Sequence, residues 1–376
     1  MIPLCRPDIS QSEINAVIDV LKSGWLTHGP KVEEFEKDFA QFIGVNHAVA
    51  LNSATSALHL AIEAQNLKGE VIVPSFTFVA SANAIIRAGC TPVFVDIEQD
   101  SRMIDPKAVE SAITPKTVAI MPVHFAGRAC AMAPILKIAN KHHLAVIEDS
   151  AEAIGATDQG RYTGSFGTGC FSFFPSKNLT CGEGGMLTTN DEALANRVRC
   201  FRGHGIPTST KDRAKSAQPW KREAVVVGYN FRMADILAAI GIEQLKRLPH
   251  MNAQREAHAN YFHQHFDLPG IKRHLPSANE KHVYQMYTLI LDPLLYDRDK
   301  VILALHERKI MASVHFDPPI HLHPYYQDYL GKISLPVTEN VSKSIITLPI
   351  YPQLTKADLD QIVEAFRSAL EIAKLG

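Results

Sequence analysis

Two side chains with reactive or charged groups follow apolar runs in the middle of the chain. Lys177 comes shortly after the run at 170–174, and Asp149 closely follows the run at 144–147. An amine can form a Schiff base with an aldehyde, and a carboxylate can keep a pyridine nitrogen protonated. An amine and a carboxylate at the ends of strands are therefore what an enzyme that uses pyridoxal phosphate (PLP) requires.

The neighbours of Lys177 favour this chemistry over an ordinary surface role. A lone lysine after a strand is most often a solvated side chain. Here Phe173, Phe174 and the Gly-Glu-Gly-Gly turn at 182–185 predict a partly apolar site around the amine. A neutral amine is the form that attacks an aldehyde.

Small polar residues earlier in the chain predict a phosphate site. The run Asn-Ser-Ala-Thr-Ser-Ala at 52–57 lies between a predicted strand and a predicted helix, where free N–H groups favour an anion. Ser and Thr also serve as ordinary helix caps at such turns, so this run is informative only together with Lys177 and Asp149. The hydroxyl of Ser172, five residues before Lys177, could bind a phosphate oxygen.

Three further residues each allow two interpretations. Asp149 could face a pyridinium or cap a helix that begins near Ala151. Glu152 could bind the ring hydroxyl of the cofactor or complement the dipole of that helix. Phe78, at the start of a predicted helix, could stack on the ring or belong to the core.

The segments that carry these residues alternate between strands and helices. Predicted strands are 47–51, 70–73, 92–95, 118–123, 144–147, 170–174 and 186–189. Continuous apolar strands separated by helices indicate a mainly parallel sheet covered on both faces, with ligands at the carboxyl ends of its strands. We therefore predict an α/β fold in which the predicted site lies at that edge.

The two ends of the chain complete the predicted organisation. A capping box of Ser10 and Glu13 begins a first helix that Gly24 ends, and an exposed loop is expected from 208 to 221. A helix from 235 to 248 is expected to break at Pro249. A strand at 283–291 and two helices follow, one near 298 and one capped by Thr355. We predict a large PLP-binding domain with N-terminal helices at 1–248 and a smaller C-terminal α+β domain at 249–376.

Composition excludes several classes of function. The chain has 376 residues, 46% of them apolar and 20% charged, with a formal net charge of −1. Scattered basic residues argue against nucleic-acid binding. The six cysteines show no metal-ligand spacing, so we expect reduced thiols and no metal site. No signal peptide or membrane-length apolar run is evident, and we expect a cytoplasmic protein without membrane attachment.

A series of short motifs extends over almost the whole chain. They are Ser23-Gly-Trp-Leu-Thr-His-Gly-Pro, Asn52-Ser-Ala-Thr-Ser-Ala-Leu, Pro74-Ser-Phe-Thr-Phe, Pro122-Val-His-Phe-Ala-Gly, Glu148-Asp-Ser-Ala-Glu, Phe171-Ser-Phe-Phe-Pro-Ser-Lys, Gly182-Glu-Gly-Gly, Gly228-Tyr-Asn-Phe-Arg-Met-Ala-Asp and Pro319-Ile-His-Leu-His-Pro. In their order and spacing they resemble the DegT/DnrJ/EryC1/StrS family of PLP-dependent sugar-nucleotide aminotransferases, which have fold type I.

The resemblance implies a role for each candidate residue. Lys177 would carry the cofactor and Asp149 would bind its pyridine nitrogen. The remaining assignments are Ser172 with the backbone of Ala54 and Thr55 for the phosphate, Phe78 for ring stacking, Glu152 for the ring hydroxyl, Asn230 with Arg232 for the phosphate of the neighbouring subunit, and Glu183, His315 and His321 on the substrate side. Asn230 acting in trans would require a homodimer with shared active sites.

The resemblance also implies the reaction. L-glutamate would convert PLP to pyridoxamine phosphate, which would aminate C4 of a nucleotide-linked 4-keto-6-deoxy sugar for surface-polysaccharide (lipopolysaccharide) or glycoconjugate biosynthesis. Many members have Gln or His where this chain has Glu152; an acid there occurs in perosamine-synthase-like members, while other segments resemble members acting on UDP- or dTDP-linked sugars. A dehydratase branch has His in place of Lys177, so the lysine favours transamination.

Three alternatives stay open at this point. Amination at C3 of a keto sugar would use the same site. An NAD-dependent nucleotide-sugar oxidoreductase would fit the sheet pattern, although no G-x-G-x-x-G follows the first strand and no Y-x-x-x-K pair is evident. A PLP-binding regulator without catalysis is the third, although the chain has no separate DNA-binding module.

Overall fold

A computed structural model describes residues 1–208, 217–277 and 279–375. Within these residues the strands are β1 (His47–Leu51), β2 (Glu70–Pro74), β3 (Thr91–Val95), β4 (Thr117–Ile120), β5 (Ala145–Asp149), β6 (Thr157–Asp158), β7 (Arg161–Tyr162), β8 (Thr168–Ser172), β9 (Gly185–Thr189), β10 (Ile271–Arg273), β11 (Glu280–Lys281), β12 (Tyr287–Leu291) and β13 (Ile345–Leu348). The helices are α1 (Gln11–Ser23), α2 (Pro30–Ile43), α3 (Ala54–Glu63), α4 (Val79–Arg87), α5 (Pro106–Ser111), α6 (Met132–His142), α7 (Glu192–Arg202), α8 (Asp235–His265), α9 (Arg298–Glu307), α10 (Pro324–Leu330), α11 (Pro336–Ser344) and α12 (Lys356–Ala373).

Seven of these strands form the central sheet, in the order β1-β9-β8-β5-β4-β2-β3. Neighbours from β8 to β3 pair in parallel, whereas β9 is antiparallel to both β1 and β8. The prediction of a mainly parallel sheet is confirmed. Because β5 and β8 are parallel neighbours, their carboxyl ends bring Asp149 and Ser172 to the same edge of the sheet.

Alternating side chains of the strands bury both faces of this sheet. In β2, Val71 and Val73 pack in the cluster that contains α3 and α4, whereas Ile72 packs in the cluster that contains α5 and α6. Successive strand residues point to opposite faces, so a strand covered by helices on both sides must be apolar at every position. This explains the continuous apolar runs in the sequence.

The predicted helix ends at the termini are confirmed. Ser10 and Glu13 form the capping box of α1, and Gly24 ends this helix with φ 72°. A left-handed backbone at a helix end favours glycine. Thr355 and Asp358 form the capping box of α12.

The predicted helix break at Pro249 is wrong. Helix α8 continues through Pro249 to His265. Proline removes one backbone donor inside a helix, but α8 is buried on both sides of it. Leu248 and Met251 lie in the cluster with α2, and Phe262 lies in the cluster with α12. Tertiary packing therefore outweighs the local preference.

The last third of the chain forms a second, smaller antiparallel sheet in the order β10-β12-β13. Helices α9 and α12 and the end of α8 cover it. Its strand β12 is shorter than the predicted 283–291, because Val283 and Met286 instead donate backbone hydrogen bonds to Gly127 and Ala126. The boundary expected after residue 248 falls inside α8, and the division into two domains stays a prediction.

Three other expectations concern the loop at 208–221, the cysteines and membrane spans. In the expected loop at 208–221, residues 209–216 lie outside the described residues, and Thr208 and 217–221 are exposed and neither helical nor extended. All six cysteines are free, and four are buried. No helix in the described part of the chain has both the length and the apolar character needed to span a membrane.

Candidate active site

A cavity of about 350 Å³ opens at the carboxyl ends of the central strands. Most residues predicted for the site line this cavity. They are Ala54, Thr55, Phe78, Asp149, Glu152, Ser172, Lys177, Glu183 and His315. Residues more than 260 positions apart in sequence thus meet around one space, because parallel strands end at a common edge.

Asp149 is the last residue of β5 and its carboxylate is buried. Its Oδ2 atom accepts a hydrogen bond from Ser81 Oγ at 2.7 Å, and Oδ1 accepts one from the Ala151 amide at 3.2 Å. The residues after Asp149 form turns rather than a helix, so its side chain does not cap one.

The pKa of Asp149 is raised above its ordinary value. Burial is the main cause, and the carboxylate of Glu152 adds to it, while the bonds from Ser81 and Ala151 and the Lys177 ammonium act in the opposite direction. A cationic group in the cavity beside Asp149 would favour the ionised carboxylate. The site therefore suits a protonated ring nitrogen.

Lys177 lies in the turn that follows β8, with its side chain mostly buried. Its Nζ atom is 3.3 Å from Oε1 of Glu152. The other carboxylate oxygen of Glu152 accepts a hydrogen bond from the Ala126 amide at 3.1 Å. Glu152 is therefore held from two sides and lies between the amine and the backbone at 126.

One end of the cavity is built by α3 and the ends of β8 and β9. Ser53 caps α3 and accepts from the Ser56 amide at 3.1 Å. This leaves the amides of Ala54 and Thr55, at the first two helical positions, without an intrahelical acceptor. Ser172, the last residue of β8, lines the same cavity. These are donors of the kind that hold a phosphate group.

Gly185 explains how β9 comes so close to this helix end. A Cβ atom at Gly185 would lie 2.3 Å from the carbonyl carbon of Ser53 and 2.5 Å from the nitrogen of Ala54. A side chain there would displace the backbone that carries the free amides. The glycine therefore sets the spacing between β9 and the start of α3.

Aromatic side chains form another wall. Phe78 precedes α4 and is 60% exposed as a residue, so it does not belong to the core. Its ring centroid is 6.4 Å from that of Phe316. His315 lines the cavity beside them, with Nδ1 3.0 Å from Thr347 Oγ1.

Three predicted residues do not line the cavity. His321 is buried between Ser75 and Glu339, with ring nitrogens 2.7 and 3.3 Å from their oxygens. Both nitrogens are thus engaged away from the site. Asn230 is exposed and accepts hydrogen bonds from Arg232 at 2.9 and 3.1 Å.

The structure adds cavity residues that the sequence reasoning missed. Gln285 lines the cavity, donates to the Ser176 carbonyl at 3.1 Å, and has a buried Oε1 without a hydrogen-bond partner among the described residues. Thr347 contacts His315, and Ser81 contacts Asp149. Gln285 and Thr347 are polar residues within apolar runs, and that irregularity was a usable signal.

These residues fit PLP. The free amides of α3 and Ser172 suit its phosphate, the exposed ring of Phe78 suits its face, and Asp149 suits its nitrogen. Lys177 supplies an amine, and the unpartnered Oε1 of Gln285 is a further polar atom in the cavity wall. The cavity volume is within the range of small-molecule sites, roughly 300–1,000 Å³.

Comparison with known proteins defines the class of this enzyme. The sequence model of the DegT/DnrJ/EryC1/StrS aminotransferase family matches residues 7–367. The chain belongs to this family. SpsC of Bacillus subtilis (strain 168), named as a spore coat polysaccharide biosynthesis protein, is 42% identical over 379 aligned positions, covering 98% of this chain and 97% of SpsC.

Solved structures agree with the sequence relatives. Spr1654 of Streptococcus pneumoniae in its PMP form has a TM-score of 0.94 at 30% identity, covering 99% of this chain and 100% of that chain. PseC of Helicobacter pylori, an aminotransferase involved in pseudaminic acid biosynthesis, has a TM-score of 0.93 at 30% identity and 99% coverage of both chains. Spr1654 has also been solved in a PLP form.

The protein is therefore a PLP-dependent sugar aminotransferase with the fold of PLP-type enzymes. This excludes the NAD-dependent oxidoreductase and the regulator without catalysis.

Proposed function

We propose that the enzyme transfers the amino group of L-glutamate to C4 of a nucleotide-linked 4-keto-6-deoxy sugar. The observation that carries the proposal is the meeting of Lys177, Asp149 and the free amides of α3 around one cavity. Support for a sugar in polysaccharide biosynthesis comes from the name of SpsC. Amination at C3 is the alternative that the same cavity would permit.

Bound PLP supplies an aldehyde that takes up the donor's amino group and a pyridinium that draws electrons from the reacting carbon. The buried carboxylate of Asp149 would face the pyridine nitrogen and favour its protonated form. Lys177 would hold the cofactor through its Nζ atom and, once released from it, would carry a proton at Nζ during the transfer. Glu152, beside Lys177, would bind the ring hydroxyl.

The remaining cavity residues bind and orient. Ser172 and the amides of Ala54 and Thr55 would hold the phosphate, and Phe78 would cover one face of the ring. On the substrate side we assign Glu183, which follows a glycine with φ 85°, and His315, whose Nδ1 is engaged with Thr347. His321 is left out, because both of its ring nitrogens have partners outside the cavity.

We further propose a homodimer in which Asn230, with Arg232, completes the phosphate site of the partner. Asn230 is exposed and Arg232 is partly buried, and neither lines the cavity of its own subunit. Arg232 holds Asn230 through two hydrogen bonds. A test is to mix inactive Lys177→Ala and Asn230→Ala subunits: activity should return in mixed dimers that have one intact site, and its absence would contradict sharing.

Replacement of Lys177 tests the central assignment. Lys177→Ala should bind PLP without the visible absorbance of the lysine-linked cofactor and should not convert L-glutamate to 2-oxoglutarate. Lys141→Ala, at an exposed surface position, is the matched control. Wild-type turnover in Lys177→Ala would remove the assignment.

The substrate is tested on the pyridoxamine form of the enzyme. This form should be mixed with dTDP-, UDP- and GDP-linked keto sugars while the visible absorbance is followed. Return of the absorbance with a 4-keto-6-deoxy sugar, and an amine at C4 in the product by NMR, is the expected result. An amine at C3 would establish the alternative.

A further inference from the structure

A chain of two buried hydroxyl groups leads to the carboxylate of Asp149. Ser81 on α4 has its Oγ atom 2.7 Å from Asp149 Oδ2. Thr77, in the segment between β2 and α4, has its Oγ1 atom 2.9 Å from the same Ser81 oxygen. Both side chains are buried. None of the roles assigned so far uses these hydroxyls.

The single hydroxyl proton of Ser81 determines which group donates in each of these hydrogen bonds. Ser81 has one hydroxyl proton and three oxygens in reach, which are Asp149 Oδ2, Thr77 Oγ1 and the Phe78 carbonyl at 3.2 Å. An ionised carboxylate is the strongest of these acceptors. Ser81 therefore donates to Asp149, and Thr77 is left to donate to Ser81. Hydrogen bonds in such a chain polarise one another.

The other groups that face Asp149 do not replace this donor. The Ala151 amide reaches only the other oxygen, at 3.2 Å. Among charged groups, Glu152 raises the pKa of Asp149 and Lys177 lowers it. Lys177 Nζ and Glu152 Oε1 also contact each other at 3.3 Å. Cys170, buried on β8, is disfavoured as a thiolate by burial and by Asp149 itself. The Ser81 hydroxyl is thus the donor that lies nearest to the Asp149 carboxylate, at 2.7 Å.

We propose that Ser81, supported by Thr77, is a positioning residue that keeps Asp149 ionised and directs its carboxylate to the pyridine nitrogen of the bound cofactor. This inference rests on the role proposed for Asp149. Without the Ser81 hydroxyl, the carboxylate becomes a better base and competes for the proton that it should leave on the ring. The proton then lies closer to Asp149 than to the nitrogen.

The nitrogen itself reports on this change. The holoenzyme should be loaded with PLP labelled with ¹⁵N in the ring, and its ¹⁵N resonance measured without substrate. In Ser81→Ala we expect the resonance to move from the protonated towards the unprotonated position. The glutamate half-reaction should slow about 10-fold, the scale of one hydrogen bond to a charged group.

Thr77 provides variants that leave both Ser81 and Asp149 in place. Thr77→Val removes the hydroxyl and keeps the shape, so the resonance should move in the same direction by a smaller amount. Thr77→Ser keeps the hydroxyl and should give the wild-type resonance. Equal resonances for Thr77→Val and Thr77→Ser, together with a wild-type resonance for Ser81→Ala, would overturn the inference.

Asp149→Asn separates this inference from the proposed function. It should give the unprotonated resonance, because no carboxylate then faces the nitrogen. If Asp149→Asn keeps the wild-type resonance, the role proposed for Asp149 is wrong. If it shifts while the Ser81 and Thr77 variants do not, only the hydroxyl chain is wrong.

Discussion

Glu13→Gln should destabilise the folded protein measurably at neutral pH. The buried carboxylate of Glu13 accepts hydrogen bonds from the Ser10 amide at 2.8 Å, from Gln244 at 2.7 Å and from Arg247 at 2.7 Å, as well as from the Ser10 hydroxyl. It joins the first turn of α1 to α8. Burial opposes ionisation, but these donors outweigh it and lower the pKa of Glu13 to about 2.

The magnitude follows from the pKa difference. The ordinary value is 4.5 and the folded value about 2, which corresponds to roughly 3.5 kcal/mol at about 1.4 kcal/mol per pKa unit. A glutamine keeps one acceptor oxygen for Gln244 and Arg247 but presents an amide NH₂ to the Ser10 donors. We therefore expect the free energy of unfolding to fall by about 2 kcal/mol.

The pH dependence has a definite sign. The folded-state pKa lies below that of the unfolded chain, so the carboxylate stabilises the fold fully above pH 4.5 and loses this effect as the pH falls towards 2. The difference between wild type and Glu13→Gln should be constant from about pH 6 upwards and fall below half near about pH 3.

Urea unfolding of both proteins between pH 3 and pH 7 measures this difference. Glu34→Gln is the control, because Glu34 pairs with Lys31 at 2.7 Å on an exposed surface, where an ion pair contributes little. A Glu13→Gln difference that is absent at pH 7, or that grows as the pH falls, would refute the reasoning.

Three other changes have definite expected outcomes. Ser172→Ala should raise the dissociation constant of PLP about 10-fold in equilibrium dialysis, through loss of one charge-assisted hydrogen bond; an unchanged constant would remove Ser172 from the phosphate site. Gly185→Ala should weaken PLP binding, because the new Cβ would lie 2.3 Å from Ser53, whereas Gly203→Ala has 3.6 Å to its nearest atom and should bind normally. Asp96→Ala should lower the unfolding free energy by about 2 kcal/mol, because Asp96 accepts hydrogen bonds from the Val337 and Thr338 amides at the start of α11; equal urea midpoints would contradict this.

The sequence determined the frame of the site. Asp149 and Lys177 were recognisable because each lies close behind an apolar run, and the order of runs and helices predicted parallel strands. Parallel strands necessarily end at a common edge, so the meeting of these residues followed from local pattern and topology. The capping boxes at Ser10 and Thr355 were equally readable, because caps are made within four residues.

Local pattern failed where distant contacts decide. A helix break was predicted at Pro249 because proline lacks a backbone donor. The helix continues because α8 packs against α2 and α12. Distant contacts also decide the surroundings of His321, whose ring contacts Ser75, 246 positions away. Neither contact has a signal in the neighbouring sequence.

The chain by itself therefore determined which residue types stand at the ends of which strands, and with them the class of chemistry. Only the tertiary structure decided what surrounds each of them. Ser81 contacts Asp149 from 68 positions away, and Gln285 contacts Ser176 from 109 positions away. Periodicity reports on neighbours within a helix or strand, whereas the state of a buried carboxylate depends on every group that packs around it.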